Sequence, residues 1–214
     1  MHEESTTPTV HRRGRRALSI GAALLVSIGA FGAAVDAHGG GHTKRQKADV
    51  LDPADDLYQR RGAKLVRTDH SIEVTWKIDT PRPESYSYPP APDGHPAIVP
   101  GYPEVFTLWI IVFDNPEECT DPCDGDDVGD TPAQGSVYQA DGEIADKHHL
   151  KMSGKTRLGQ TPRVGPGLSN PLGAEVHLAM APHGQATSGD ELGAQLNNPA
   201  GDPSYWWGAI FLAP

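Results

Sequence analysis

The sequence predicts an all-β protein, an antiparallel β-sandwich of about six to eight strands with long Pro/Gly-rich loops. Three observations predict it. Short apolar stretches rich in Val, Ile, Trp and Phe recur between turn-rich segments. The 20 prolines and 24 glycines follow no repeat period and interrupt the chain too often for long helices. No long segment carries a helical period, and residues 188–197 have room for one short helix.

The elements follow in chain order. Residues 1–37 read as a signal peptide. Arg12, Arg13, Arg15 and Arg16 form a basic patch, residues 17–34 are apolar and small, and Val35-Asp36-Ala37 offers small residues before a cut. An uncut membrane anchor is the alternative, but the run is Gly/Ala-rich and weakly hydrophobic for a span. Arg15-Arg16 also resembles a twin-arginine signal with a Gly ahead of the pair, and a general secretory signal stays open beside it. The expected location is therefore secreted, periplasmic or cell-surface, with no stable membrane span after cleavage.

Residues 38–60 are polar, charged and Gly-rich, and are read as a flexible lead-in to a domain over 61–214. In 71–79, Ile72, Val74, Trp76 and Ile78 alternate with polar residues, which predicts a half-buried strand. Eight prolines in 80–103 predict a long loop. Residues 105–113 are almost all apolar and predict a central strand buried on both faces. An acidic loop spans 114–130. Shorter strands are expected near 135–140 and 148–153, with a turn at Asp141-Gly142. Alternation returns in 172–180, where Ala174, Val176, Leu178 and Met180 share one face, and 204–212 is a last apolar strand.

Loss of residues 1–37 would remove four arginines and three acids and move the net charge from −10 to −11. Such a surface disfavours nucleic acid and anionic membrane. The two cysteines, Cys119 and Cys123, are close in sequence and in an oxidising compartment are read as a disulfide. A redox or zinc pair is the alternative, but the spacing is not CxxC and no second pair completes a zinc site.

Certain residues here resemble a known group. Thr107-Leu108-Trp109-Ile110-Ile111-Val112-Phe113-Asp114-Asn115-Pro116-Glu117-Glu118-Cys119, then Pro122-Cys123, resembles a group of uncharacterised secreted bacterial proteins with a Trp-rich strand followed by Asn-Pro-Glu and Cys. The stretch 167–178 and the later His183-Gly184 are similar to that group too, so the likeness spans most of 63–214. It departs in the proline loop and at the C-terminus, which lacks further cysteines. The strand with its histidine is faintly similar to chordin-type (CHRD) domains, which implies a dismutase-like sandwich; an immunoglobulin-like one is equally open. The His-x-His pair of those domains is absent here.

Candidate ligand residues come from the histidines and the acidic loop. A cut after Ala37 makes His38 the mature N-terminus, whose α-amine and imidazole suit Cu(II), with His42, His177 or His183 as a third nitrogen. Glu175, His177 and His183 would also suit zinc or copper. Asp121, Asp124, Asp126 and Asp127 would suit calcium, although their spacing is not that of an EF-hand. The plainer reading makes these exposed histidines and a solvated loop. Trp206-Trp207 are either a sugar-stacking surface or core, and adjacency on a strand puts at least one in the core. No GxSxG, HExxH or phosphate loop appears. The expectation is an exported, non-enzymatic sandwich that binds or supports an extracytoplasmic ligand or protein, with a copper or other metal protein as the alternative.

Overall fold

The computed structural model describes residues 42–82, 102–119, 122–145, 148–197 and 203–214. The expected signal peptide, His38, Asp121 and most of the proline loop lie outside the described residues. The fold is all-β and antiparallel. Its strands are β1 (Lys44–Leu51), β2 (Leu57–Thr68), β3 (Ser71–Asp79), β4 (Glu104–Phe113), β5 (Gly135–Ala145), β6 (His149–Arg157), β7 (Glu175–Gln185) and β8 (Trp207–Phe211), with one short helix, α1 (Gly189–Gln195). They form one sheet in the order β5-β4-β7-β8-β1-β2-β3-β6.

The sheet is folded back on itself into two leaves. β8 and β1 share one residue pair, Leu51 with Gly208. On one side of that joint lie β8, β7, β4 and β5, and on the other β1, β2, β3 and β6. The inner faces meet in one apolar core. In the first leaf the core residues run in rows across the strands: Val112–Val176–Phe211, Ile110–Leu178–Ala209 and Leu108–Met180–Trp207. In the second, Trp76 pairs with Ala63 and Met152, and Val74 with Leu65 and Gly154. Trp76 has no exposed surface. The alternation of β3 thus does what period-2 patterning predicts.

The two outer strands of the sheet, β5 and β6, come back together and nearly close it. The register of β4 and β5 shifts between Leu108 and Trp109, whose partners are Asp141 and Gln139, so Ala140 is an extra, bulged residue. Gly154 of β6 lies against it: a Cβ there would sit 2.5 Å from the Ala140 Cβ. The Asp141 carboxylate accepts the Ser153 N–H at 2.9 Å across the same seam.

β4 is buried on both faces, as its composition requires. Phe106, Leu108, Ile110 and Val112 face the core. On the outer face, Trp109 packs with Ala179 and Ala181 beneath Trp206. Phe113 packs with Cys123 of the acidic loop and with Ala133 just beyond it. Cys119 and Cys123 form a disulfide with Cα atoms 4.9 Å apart, which fastens that loop over the strand.

Where β1 and β8 diverge, Arg67 fills the opening. It is fully buried on β2 and reaches from one leaf to the other. Its Nε donates to Gln46 Oε1 at 2.8 Å, and Nη1 donates to the Ala174 and Pro171 carbonyls at 2.6 and 3.2 Å. Nη2 reaches the Phe211 carbonyl at 3.5 Å. Burial pulls the guanidinium down to about 10, against the opposing pull of the Glu175 carboxylate.

Two expectations are corrected. The lead-in over 38–60 is, from Lys44 onward, β1 and the start of β2. β1 buries Val50 and exposes Lys44, Arg45, Lys47 and Asp49, so backbone pairing rather than an apolar face holds it. Asp141-Gly142 is not a turn; β5 runs through it, and the bulge at Ala140 absorbs the irregularity. β7 also continues past the predicted Met180 to Gln185, through Pro182, in the region where its register with β4 is shifted.

Candidate functional site

Of the predicted ligand residues that are described, the side chains of Glu175, His177, His183, Asp124 and Asp127 are engaged within the fold, whereas His42 and Asp126 are held through their backbone N–H groups, which donate to Asp69 and Asp124. On β7, His177 lies on the outer face, with its Nε2 hydrogen-bonded to Glu175 Oε1 at 2.7 Å and its ring edge-on to Phe113. Both partners are largely buried, with side-chain exposures of 15% and 10%. His183 is fully buried, and its Nε2 is hydrogen-bonded to Thr107 Oγ1 at 2.8 Å. The same hydroxyl oxygen accepts the Trp109 Nε1–H, also at 2.8 Å. Six residues of strand separate His177 from His183, a distance of about 20 Å, so the two do not share an ion. His148 and His149 are exposed, and His149 faces Asp79 at 3.0 Å.

The acidic loop uses two of its candidate calcium ligands, Asp124 and Asp127, internally. Asp124 accepts the Asp126 N–H at 2.8 Å, and Asp127 accepts the Asp124 N–H at 3.0 Å, a reciprocal cap on one turn of helix. Asp114 is buried and accepts from Ser169 N, Ser169 Oγ and Asn170 N, which ties the 167–170 segment to the end of β4. Among the described residues, no three His, Cys, Asp or Glu side chains gather as a metal-binding set.

A polar groove of about 490 Å³ opens elsewhere, beside the β5 bulge. Its size falls within the ~300–1,000 Å³ of small-molecule sites. Three segments build it: β5 at 138–142, the loop after β6 at 160–163, and Leu196-Asn197 at the end of α1. The loop is held because residues 163 and 164 run along the free edge of β5. Val137 N–H donates to the Val164 carbonyl at 2.9 Å, and Arg163 N–H donates to the Val137 carbonyl at 2.8 Å. Gly165, at φ +94°, lets the loop press close: a Cβ there would lie 2.2 Å from the Gly135 carbonyl oxygen.

Gln139 ties the three segments together. Its Nε2 donates to the Leu196 carbonyl at 2.6 Å, and its Oε1 accepts from Arg163 Nη2 at 2.9 Å. Gly142 allows the α1 end to approach, since a Cβ there would meet the Leu196 carbonyl oxygen at 2.4 Å. The helix end is itself held by buried Gln195, which donates to the His183 and Gln185 carbonyls. Among the described residues of the lining, Asp141 supplies the one negative charge and Arg163 the one positive, and they form no salt bridge with each other. Much hydrogen-bonding capacity stays unused by described residues: Arg163 Nε and Nη1, the Gln160 amide, the Thr161 hydroxyl and Asn197 Oδ1.

No motif marks these residues. They lie in three separate stretches that the sheet brings together, and Asp141-Gly142 carries the signature of a hairpin turn. The one usable signal is the polar run 160–163 between two strands, which any loop also shows. No protein-family model, curated protein or solved structure matches the chain.

Proposed function

We propose that this chain is an exported β-sandwich module that binds a polar ligand in the groove beside the β5 bulge and carries out no covalent chemistry on it. One observation carries the reading: the groove's donors and acceptors stay unused within the fold, whereas the buried polar side chains Asp114, Glu175 and His183 are engaged inside it. Arg163 and Asn197 are each anchored by one hydrogen bond, to Gln139 and to the Gly193 carbonyl, and keep further capacity, so they bind ligand with little loss of side-chain freedom.

Export is supported by the basic, apolar and small-residue order of residues 1–37 and by the Cys119–Cys123 disulfide. The acidic net charge argues against a nucleic-acid partner. The binding reading is tested by titrating ¹⁵N-labelled mature chain with a library of small polar compounds. Backbone shifts are expected at Gly142, Arg163 and Asn197, and Arg163→Met should raise the ligand concentration needed to produce them about tenfold. Ligands that shift only other surfaces, or that are turned over, would overturn the reading.

The copper alternative now rests on His38, because His177 and His183 are spent on Glu175 and Thr107. Protein recovered from its native compartment should begin near His38 and resist thiol alkylation, as read by intact mass. Two alkylatable thiols and an intact Met1 would remove the export reading. In the same preparation, Cu(II) bound through the terminus should be lost when one residue is added ahead of His38 and kept in His177→Gln.

A further inference from the structure

We infer that the groove takes a neutral, hydroxyl-rich ligand, a short saccharide; this rests on the groove being the binding face proposed above. The first ground is what the lining lacks. Tyr138 is buried, and its hydroxyl accepts the Leu168 N–H at 2.6 Å, so its ring offers no exposed stacking platform. Among the described residues, the other apolar side chains of the lining are Ala140 and Leu196. A lipid or an apolar peptide has little to bury there.

The second ground is the mixture of donors and acceptors. Arg163 and Gln160 present N–H donors, Asn197 Oδ1 presents an acceptor, and Thr161 offers both. The oxygens of Asp141 each accept one backbone N–H, from Gly142 and from Ser153, and retain further lone pairs. A hydroxyl donates and accepts at once, so neighbouring hydroxyls satisfy such a lining from either side. A carboxylate would satisfy Arg163 but face Asp141, and an ammonium would meet the reverse conflict.

The third ground is charge. Asp141 and Arg163 cancel within the groove, while the chain as a whole carries −10. Acidic polymers are repelled at long range and gain no net local charge. With hydrogen bonds and almost no apolar area, affinity is weak, with Kd on the order of 1 mM.

The experiment uses the ¹⁵N-labelled mature chain and five probes. Maltotriose, cellotriose and chitotriose are the neutral saccharides; trigalacturonate and triglycine are the charged comparisons. At least one neutral trisaccharide should shift the Gly142, Arg163 and Asn197 amides. Arg163→Met should weaken that binding about tenfold, the effect of losing a charge-assisted hydrogen bond. Gln160→Ala should weaken it less; both side chains are exposed, so each variant keeps the fold. If triglycine or trigalacturonate occupies the groove and the neutral sugars do not, the saccharide assignment falls and the groove reading stands. If none of the probes moves those amides at concentrations of about 20 mM, well above the expected Kd, the saccharide assignment falls as well. The groove reading then depends on the wider library.

Discussion

Arg67→Ala is expected to lower the stability of the domain by about 3–5 kcal/mol, because it strips a buried cation from the polar groups ordered around it. The carbonyls of Pro171 and Ala174 lose their donor where water does not reach, half-buried Gln46 Oε1 loses its partner, and a cavity opens between β1 and β8. Arg67→Lys keeps the charge but not the planar fork, so it recovers part of the loss. Equilibrium urea denaturation of the mature chain measures both. A shift below about 1 kcal/mol for Arg67→Ala, the scale of one ordinary hydrogen bond, would mean the guanidinium does not hold the leaves together. The pH dependence has a definite sign. Burial lowers the folded-state value from the ordinary arginine range to about 10, so between those limits the unfolded chain binds more protons and stability rises with pH. Below about 10 both states carry the charge, and the Arg67 contribution is flat across the neutral range.

Trp109→Ala is expected to destabilise by about 3–5 kcal/mol through loss of a large buried ring, and a domain of ordinary stability would then be mostly unfolded. The indole covers Ala179 and Ala181 on the outer face of the first leaf and donates to Thr107, which in turn holds His183. Trp109→Phe separates the two contributions. It keeps most of the packing and removes the N–H donor, for about 1 kcal/mol. If Trp109→Ala moves the denaturation midpoint by less than about 1 kcal/mol, the outer face of β4 is not a packed layer.

Strands with strong side-chain patterns were legible in the sequence. β3 was readable because Ile72, Val74, Trp76 and Ile78 repeat with the pleat, and β4 because its apolar run leaves no face for water. The short helix near 188–197 and the eight-strand upper limit also agree with the structure. β1 was not legible, since six of its first residues, Lys44-Arg45-Gln46-Lys47-Ala48-Asp49, show no apolar period. Its place is fixed by hydrogen bonds to β2, which leave no trace in composition. Arg67 reads as a solvent-facing charge until the sheet folds back over it. The groove was illegible for a related reason. Gln139, Arg163 and Leu196 become neighbours through a bulge, an edge pairing and a helix end, none of which is encoded by local spacing. The histidines were half legible: their residue type drew attention to them, but not the partners they meet, Glu175 for His177 and Thr107 for His183.

The position of β8 also has a consequence for the order of events in biosynthesis. β8, the last of the described strands, lies in the interior of the sheet, between β7 and β1. A nascent polypeptide that lacks Trp207–Phe211 can pair β2 with β3 and β4 with β5, yet both β7 and β1 keep an open edge where β8 belongs. Joining Leu51 to Gly208 closes a loop of more than 150 residues, which makes it the slow, high-contact-order step. The domain therefore completes itself only once Trp207–Phe211 is free to fold with the rest. A chain cut short ahead of Trp207 loses the joint between the leaves.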